Sequence, residues 1–276
     1  MKIRSIINLA GLGALAGGYL AAGTKVSEEA YAPFQNRFIA HRGLHSGDGS
    51  VPENSLAAFD AAGAKGYGVE LDVTLSKDGA VVVFHDDDLK RVCGIEAFIG
   101  DLTLEELQQQ SLLGSEQTIP LFTEVLNVYA GRGPMIVELK KTRGRNDELC
   151  EKTLAILKEY EGDYCVESFD PTIVAWFREH APEIVRGQLA CAPDGYGHAV
   201  PQWKALALSL CLFNVKSRPH FIAYDLVKKP LTVRFAELLG VKRVCWTSRK
   251  IEDTVGQDTV IFEGYEPPLT FEEKEE

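Results

Sequence analysis

The 276-residue chain is 45% hydrophobic and carries a formal net charge of −11 at pH 7. This length and apolar content allow one large buried core and suit a single main domain. The acidic balance, without any basic stripe, argues against nucleic-acid binding, because phosphate backbones are held by clustered lysine and arginine. An acidic protein that handles an anion needs a local positive charge, such as a bound metal ion.

The chain begins with an apolar segment. Residues 6–23 are almost wholly apolar or small, and Lys2 and Arg4 precede them. At 1.5 Å per helical residue, about 18 residues extend roughly 27 Å, which is just enough to cross a bilayer core. We expect residues 1–24 to be an uncleaved membrane anchor; a signal peptide and a peripheral or soluble helix are the alternatives. Because basic residues precede the segment and acidic ones follow it, we expect the remainder to lie outside the cytoplasm, at the cell membrane or, alternatively, secreted.

The rest of the chain alternates between strand and helix patterns. Residues 25–36 are a polar connector, and residues 37–270 are predicted to form the folded domain. The alternation is typical of a (β/α)8 TIM barrel, in which functional residues collect at the carboxyl ends of strands. The eight β-rich runs are centred on Ile39, Glu70, Val137, Val166, Gln188, Ala223, Cys245 and Ile261. Residues 87–134 are predicted to be a small, mostly helical insertion after the second strand.

Capping residues mark three predicted helix starts. Asn54 is the expected N-cap of a helix over residues 55–64. Thr103 opens a capping box, and Asp170 followed by Pro171 opens a helix that ends near residue 180.

Residues 69–86 are predicted to form a β-hairpin. Two valine-rich arms are joined by a Lys-Asp-Gly turn, which is too short for the crossover that parallel strands require. If Ser76 faces Ala80, continuing the pairing places Asp72 opposite Phe84. The two arms would then form one rigid unit.

Two histidines and three acids lie near the ends of predicted strands: His41, Glu70, Asp72, His85 and Glu138. A barrel would bring them to one rim, although singly each is as well explained by a solvent-facing position. Three carboxylates that face one point repel each other unless they are neutralised, and a hard divalent cation with oxygen ligands does this. Because no zinc-type Cys/His spacing occurs, Ca²⁺ or Mg²⁺ is the expected ion.

The six cysteines are dispersed and show no metal-binding spacing. Cys165, Cys191 and Cys245 fall in apolar, strand-like runs, where cysteine behaves as a small hydrophobic residue. We therefore expect a structural role for them.

Five short motifs occur in a fixed order between residues 37 and 141. They are His41-Arg42-Gly43, Pro52-Glu53-Asn54-Ser55, Glu70-Leu71-Asp72, His85-Asp86 and Glu138-Leu139-Lys140. In this order they resemble the motif set of the glycerophosphodiester phosphodiesterase family. Ser168-Phe169 and Trp246-Thr247 extend the similarity through most of the remaining chain. The resemblance implies a TIM barrel with an insertion, and metal-dependent hydrolysis of a glycerophosphodiester to glycerol phosphate and an alcohol.

The resemblance also implies roles for the matching residues. Glu70, Asp72 and Glu138 would bind the metal ion. His41 and His85 would be the general acid and base, and their order is left open.

Four further matching residues would assist this chemistry. Arg42 and Lys140 would hold phosphate oxygens and offset their negative charge. Glu53 and Asn54 would support the residues that contact the metal ion and the substrate, although Asn54 is equally suited to be a helix cap.

The carboxyl end departs from the family pattern. Family members often finish with Thr-Asp-x-Pro, whereas residues 261–267 here read Ile-Phe-Glu-Gly-Tyr-Glu-Pro. This difference concerns the range of substrates rather than the metal site. Phe262, Tyr265 and Trp246 either line an apolar pocket for an acyl or glycerol group or belong to the core.

Several functions are compatible with these motifs. The substrate would be a small glycerophosphodiester, a lysophospholipid or a glycerol-phosphate polymer, so the alternatives include a lysophospholipase D. A non-catalytic, membrane-tethered barrel that binds phosphodiester head groups is a further alternative, and an aldolase-like metal enzyme is another. The pair of histidines favours an enzyme, since binding alone needs no acid and base.

Overall fold

A computed structural model describes residues 18–197 and 200–272. Its strands are β1 (Arg37–Ala40), β2 (Gly68–Leu75), β3 (Val81–Val83), β4 (Met135–Leu139), β5 (Tyr164–Ser168), β6 (Arg186–Ala190), β7 (Phe221–Asp225), β8 (Lys242–Ser248) and β9 (Thr259–Phe262). All except β3 are parallel neighbours in one closed ring, because β9 pairs with β1 and β1 pairs with β2. The predicted (β/α)8 barrel and its eight strands are confirmed.

The helices surround this ring. They are α1 (Glu28–Tyr31), α2 (Leu56–Lys65), α3 (Lys90–Cys93), α4 (Leu104–Gln108), α5 (Phe122–Tyr129), α6 (Asn146–Leu157), α7 (Pro171–His180), α8 (Gln202–Ser209), α9 (Asn214–Ser217) and α10 (Leu231–Leu238). Short 3₁₀ turns occur at Ile99–Asp101, Pro193–Tyr196 and Ile251–Thr254. Apolar residues of the strands and of α2, α5, α6 and α7 form the main core, so β2 and β4 are buried along their whole length.

Two of the predicted helix starts are observed. Asp170 caps α7 with Pro171 in its first turn, and Thr103 forms a capping box with Glu106 at α4. The predicted Asn54 cap is wrong: the hydroxyl of Ser55 caps α2 by accepting from the backbone N–H of Ala58. The Asn54 side chain instead donates a hydrogen bond to Asp72, which capping rules do not reveal.

The β2–β3 hairpin has the predicted antiparallel register. Leu75 pairs with Val81, and backbone hydrogen bonds join Ser76 to Ala80 at 3.0 Å and Phe84 to Asp72 at 2.9 Å. Residues 69–73 of β2 also pair in parallel with β4, so Val73 has a partner in each of the two strands. The strand that carries the two acids therefore belongs to both the hairpin and the barrel.

The segment between β3 and β4 is less helical than expected. From residue 87 to residue 121 it contains α3, α4 and a 3₁₀ turn, with turns and isolated bridges between them. Its apolar residues, including Leu89, Leu107 and Ile119, form a small cluster of their own. By contrast, α5 packs against α2 in the main core, so this helix belongs to the barrel rather than to the insertion.

Most of the apolar amino-terminal segment, residues 1–17, lies outside the described residues. Residues 18–21 are helical, and the chain then runs against the loop before β7, where the N–H of Thr24 donates to Pro219 at 2.8 Å. Asn214 also donates to the carbonyl of Ala21 at 3.0 Å. Within residues 18–197 and 200–272, none of the helices combines the length and apolar character needed to cross a bilayer.

All six cysteines have free thiols, and only Cys93 is partly exposed. Burial raises the pKa of Cys191 and of Cys245 to about 12, so both thiols stay protonated at neutral pH. These values agree with the structural role expected for them.

Candidate active site

Inside the barrel, the inward-facing residues change from apolar to polar toward the carboxyl ends of the strands. Ile39, Ile136, Cys165 and Ile261 belong to one buried apolar cluster. Since residues two apart in a strand share a face, the next inward positions form a polar layer above that cluster. These positions are occupied by His41, Glu138, Glu167 and Glu263.

Three buried carboxylates converge in this layer. Glu70, Asp72 and Glu138 each offer an oxygen atom, and these oxygens lie within 4.8 Å of one another. Burial, followed by repulsion from the other two acids, raises the pKa of Glu70 well above its usual value. A divalent cation would relieve this repulsion, so the residues suit the expected metal ion.

Glu167 is a fourth buried acid at this point, and the motif comparison missed it. It lies beside Glu138 in the β4–β5 ladder, and its Oε2 has no hydrogen-bond partner among the described residues. Burial, then repulsion from Glu138 and Asp72, raises the pKa of Glu167 well above its usual value. Strand alternation from Cys165 could have identified Glu167 as inward-facing.

Lys140 and Arg42, which the family resemblance assigns to binding of the substrate phosphate, contact the same carboxylates. Lys140 Nζ lies 2.8 Å from Glu138 Oε1 and 3.3 Å from Asp72 Oδ1. Burial alone would lower the pKa of Lys140, but these two acids raise it above its usual value. Arg42 Nε lies 3.4 Å from Asp72 Oδ2, and its Nη1 donates to Glu53 at 2.8 Å.

Two loop residues at the site have left-handed backbone conformations. Arg42 and Asn54 each have a φ of 54°, in a region of backbone conformation that residues other than glycine rarely adopt. The N–H of Arg42 donates to Glu70 Oε2 at 3.0 Å, and the Asn54 amide donates to Asp72 Oδ2 at 2.8 Å. The backbone strain is thus associated with fixing two of the three carboxylates.

His41 is held between two acids. Its Nδ1 lies 2.7 Å from Glu263 Oε2, and its Nε2 lies 3.9 Å from Glu70 Oε2. The hydrogen bond from His41 lowers the pKa of Glu263 to about 2, so Glu263 is ionised and His41 Nδ1–H is the donor. Burial lowers the pKa of His41 itself, which leaves a neutral ring with a free Nε2 that faces the carboxylates.

His85 has a corresponding partner on the other side of the site. Its Nδ1 lies 2.6 Å from Asp86 Oδ1, while Asp86 Oδ2 accepts from Arg91 Nε at 2.7 Å. Arg91 also donates to Glu53 at 2.7 Å, and Glu53 in turn binds Arg42. This chain of ion pairs links the two halves of the site. The sequence comparison missed both Arg91, which the insertion supplies, and Glu263.

Nearly all predicted site residues are therefore brought together, and the roles assigned to them remain predictions. Eight of them share direct contacts: His41, Arg42, Glu53, Asn54, Glu70, Asp72, Glu138 and Lys140. His85 joins this group through Asp86 and Arg91. Of the three aromatics, Phe262 belongs to the core, the Tyr265 hydroxyl pairs with Ser248, and Trp246 is partly exposed.

A closed parallel barrel with clustered acids and two carboxylate-bound histidines is typical of a metal-dependent enzyme that uses acid–base catalysis. The family model described as "Glycerophosphoryl diester phosphodiesterase family" matches residues 41–264. The chain belongs to this family. The predicted family and the predicted enzyme class, a glycerophosphodiester phosphodiesterase, are thereby confirmed.

Individual relatives agree with this assignment. A glycerophosphodiester phosphodiesterase of Caldanaerobacter subterraneus subsp. tengcongensis is 30% identical over 226 residues, which cover 78% of this chain and 86% of the relative. A human lysophospholipase D is 30% identical over 168 residues, covering 54% of this chain and 51% of the relative. Among solved structures, an Oleispira antarctica phosphodiesterase in complex with the product sn-glycerol-3-phosphate has a TM-score of 0.67 at 26% identity, covering 84% of this chain and 94% of that one.

Proposed function

We propose that this protein hydrolyses glycerophosphodiesters to glycerol phosphate and an alcohol at a divalent-metal site in the mouth of the barrel. The observation that carries the proposal is the convergence of Glu70, Asp72 and Glu138 inside a barrel that matches the phosphodiesterase family. The named relatives support the choice of substrate.

The three carboxylates would hold the metal ion. Their donor atoms are all oxygens, which Ca²⁺ and Mg²⁺ prefer. When bound, such a cation polarises a phosphoryl oxygen and lowers the pKa of a coordinated hydroxyl or water. Asn54 and the N–H of Arg42 orient two of the ligands, and outer partners of this kind tune metal sites.

His41 and His85 supply the proton transfers. In each ring Nδ1 is held by a carboxylate, so Nε2 is the atom that acts on the substrate. One imidazole takes the proton from the attacking oxygen as the new P–O bond forms. The other gives a proton to the departing alkoxide as the old P–O bond breaks.

Arg42 and Lys140 would bind the phosphodiester. Both are charged, partly accessible and already adjacent to the acidic cluster. An arginine fork and a lysine ammonium offset the charge that develops on equatorial phosphoryl oxygens. Glu53 would hold the Arg42 guanidinium in place at 2.8 Å.

The activity is tested by product analysis with glycerophosphocholine and other glycerophosphodiesters, with EDTA or with added Ca²⁺ or Mg²⁺. We expect glycerol phosphate only with the metal, and a loss of at least about 100-fold in kcat for His41→Ala and Glu70→Gln. Glu96→Gln, at a side chain that is 81% exposed, is the matched control and should retain activity. Undiminished turnover in both site variants would contradict the proposal, and binding without turnover would favour a head-group-binding barrel.

We also propose that residues 1–24 tether the barrel to the cell membrane, with the catalytic domain on the extracytoplasmic side. Residues 18–24 lie against the loop before β7, so the basic start of the chain and the apolar residues 6–17 are what support attachment to the membrane. In fractionated cells, the full chain should stay with membranes after alkaline carbonate washing and should be accessible to external protease. Recovery of a shortened chain from the medium would instead indicate a cleaved signal peptide.

A further inference from the structure

A large groove lies beside the mouth of the barrel, where α6, α7 and α8 meet. Its volume is about 700 Å³, within the range of roughly 300–1,000 Å³ that is usual for small-molecule sites. We call it the lateral groove. Its apolar lining includes Phe169, Ala175, Trp176, Tyr196, Leu208 and Phe213.

The lateral groove is continuous with the barrel mouth. Phe169 directly follows β5, and its ring lies edge-on to Trp246 with centroids 5.5 Å apart. Both rings pack against the apolar cluster of the barrel interior. Lys141 also lines the groove, and it is the neighbour in sequence of Lys140, which lies against the acidic cluster. One end of the groove is therefore beside the phosphodiester site.

The chemistry of the groove suits a hydrocarbon chain. Charges of both signs surround its apolar lining, with Lys141, Lys204 and Lys216 interspersed among acids such as Asp147 and Glu151. A polyanion, such as a glycerol-phosphate polymer, would meet these acids and would lose hydration against the aromatic lining. Each methylene group of an alkyl chain that is buried in the groove makes binding more favourable.

The outer side of the groove carries exposed apolar residues. Helix α8 contributes Lys204 and Leu208 to the lining, while Trp203 and Leu206 of the same helix are 70% and 50% exposed. Tryptophan and leucine beside lysine are typical of surfaces that contact the boundary between lipid and water. They would favour approach to a substrate that resides in or near a lipid surface.

We propose that the lateral groove binds the hydrocarbon chain of a single-chain phosphodiester lipid, such as a lysophospholipid, while its phosphodiester occupies the acidic cluster. This inference rests on the proposed function. Binding of the chain in the groove would make amphiphilic diesters better substrates than their chain-free counterparts. The relevant readout is the ratio of kcat/KM for monomeric lysophosphatidylcholine to that for glycerophosphocholine.

The ratio should rise by about threefold to fourfold for each methylene that enters the groove. Ala175→Trp fills the groove from α7, and we expect it to lower the ratio by at least about tenfold. Thr172→Trp, an exposed position on the same lining, provides a second blocking variant if the first does not fold. Ala155→Trp makes the same change in a separate groove beside α5 and should leave the ratio as in the wild type.

Direct binding separates this inference from the proposed function. Calorimetric titration with dodecylphosphocholine below its micelle concentration should give binding that the blocking variants weaken and Ala155→Trp does not. If no diester is hydrolysed but this pattern is found, the proposed function fails and the groove assignment stands. If glycerophosphocholine is hydrolysed while neither the ratio nor dodecylphosphocholine binding responds to the blocking variants, the groove assignment is refuted.

Discussion

Glu263 holds His41 in one tautomer through a 2.7 Å hydrogen bond to Nδ1. Its side-chain hydrogen bonds go to His41 and to the exposed Arg249, so we regard it as a positioning residue. We expect Glu263→Gln to lower kcat roughly 10- to 100-fold with little change in KM, because an amide can accept from Nδ1–H but does not stabilise an imidazolium. Steady-state kinetics with glycerophosphocholine measure this, and Glu263→Asp should restore part of kcat.

Arg249 offers the matched control for this prediction. Its guanidinium lies 3.1 Å from the other oxygen of Glu263, but its side chain is 69% exposed. Exposed ion pairs contribute little, so Arg249→Gln should change kcat by less than about twofold. An unaltered kcat in Glu263→Gln would show that His41 needs no partner at Nδ1.

Sequence motifs identified the residues with direct chemistry better than those that position them. His41 and Glu70 stand in short, ordered motifs, whereas Glu263 lies 222 positions from the histidine that it contacts. Arg91 comes from the insertion, whose path no local pattern specifies. For Asn54, capping rules favoured a helix cap, whereas the motif resemblance gave it a supporting role, which is compatible with its hydrogen bond to Asp72.

At the scale of elements, the start of β7 joins three strands through a buried histidine. His220 donates its N–H to Arg186 at 2.8 Å, and its carbonyl accepts from Lys242 at 3.0 Å. Its Nδ1 accepts from the backbone N–H of Arg186 at 3.2 Å, so the ring must stay unprotonated there. Burial, then the charge of Arg186, lowers the pKa of His220 to about 4.

This lowered pKa predicts a loss of stability in acid. Between pH 6.5 and pH 4 the unfolded chain binds a proton at residue 220 that the folded chain does not, so the free energy of unfolding falls as the pH falls. From pH 7 to pH 5 the expected loss is about 2 kcal/mol from this residue. His220→Asn keeps an acceptor for the Arg186 N–H and removes the titration. Urea unfolding at both pH values should show a smaller acid loss in the variant, and equal losses would refute the assignment.

The elements themselves were predictable where short-range rules decide them. A three-residue turn imposes an antiparallel hairpin, and Ser76 indeed pairs with Ala80. The proline after Asp170 starts α7 as expected. Helix ends were less accurate, because final turns depend on neighbouring loops, and α5 could not be assigned to the barrel without its contact with α2.

At the scale of the whole molecule, closure of the barrel creates the site. The sequence predicts eight strands, and only the pairing of β9 with β1 places Glu263 beside His41, where the N–H of His41 donates to Phe262 at 2.9 Å. The neighbouring strands β2, β4 and β5 bring Glu70, Asp72, Glu138 and Glu167 together in the interior that closure encloses. The barrel thus buries several like charges, which lowers its own stability in the absence of a cation.

Metal binding should therefore stabilise the whole fold. At a metal concentration of about 100 times Kd, binding to the folded state raises the free energy of unfolding by about 2.7 kcal/mol. For a chain of this size this corresponds to a rise in Tm of several degrees. Glu70→Gln removes one ligand and one repelling charge, so we expect a higher Tm than the wild type in EDTA and a much smaller rise with Ca²⁺ or Mg²⁺. Calorimetry of both proteins, with Glu96→Gln as the exposed control, measures the two effects. An equal metal-induced rise in Glu70→Gln would place the cation elsewhere, because a site at the acidic cluster cannot lose a ligand without losing part of this stabilisation.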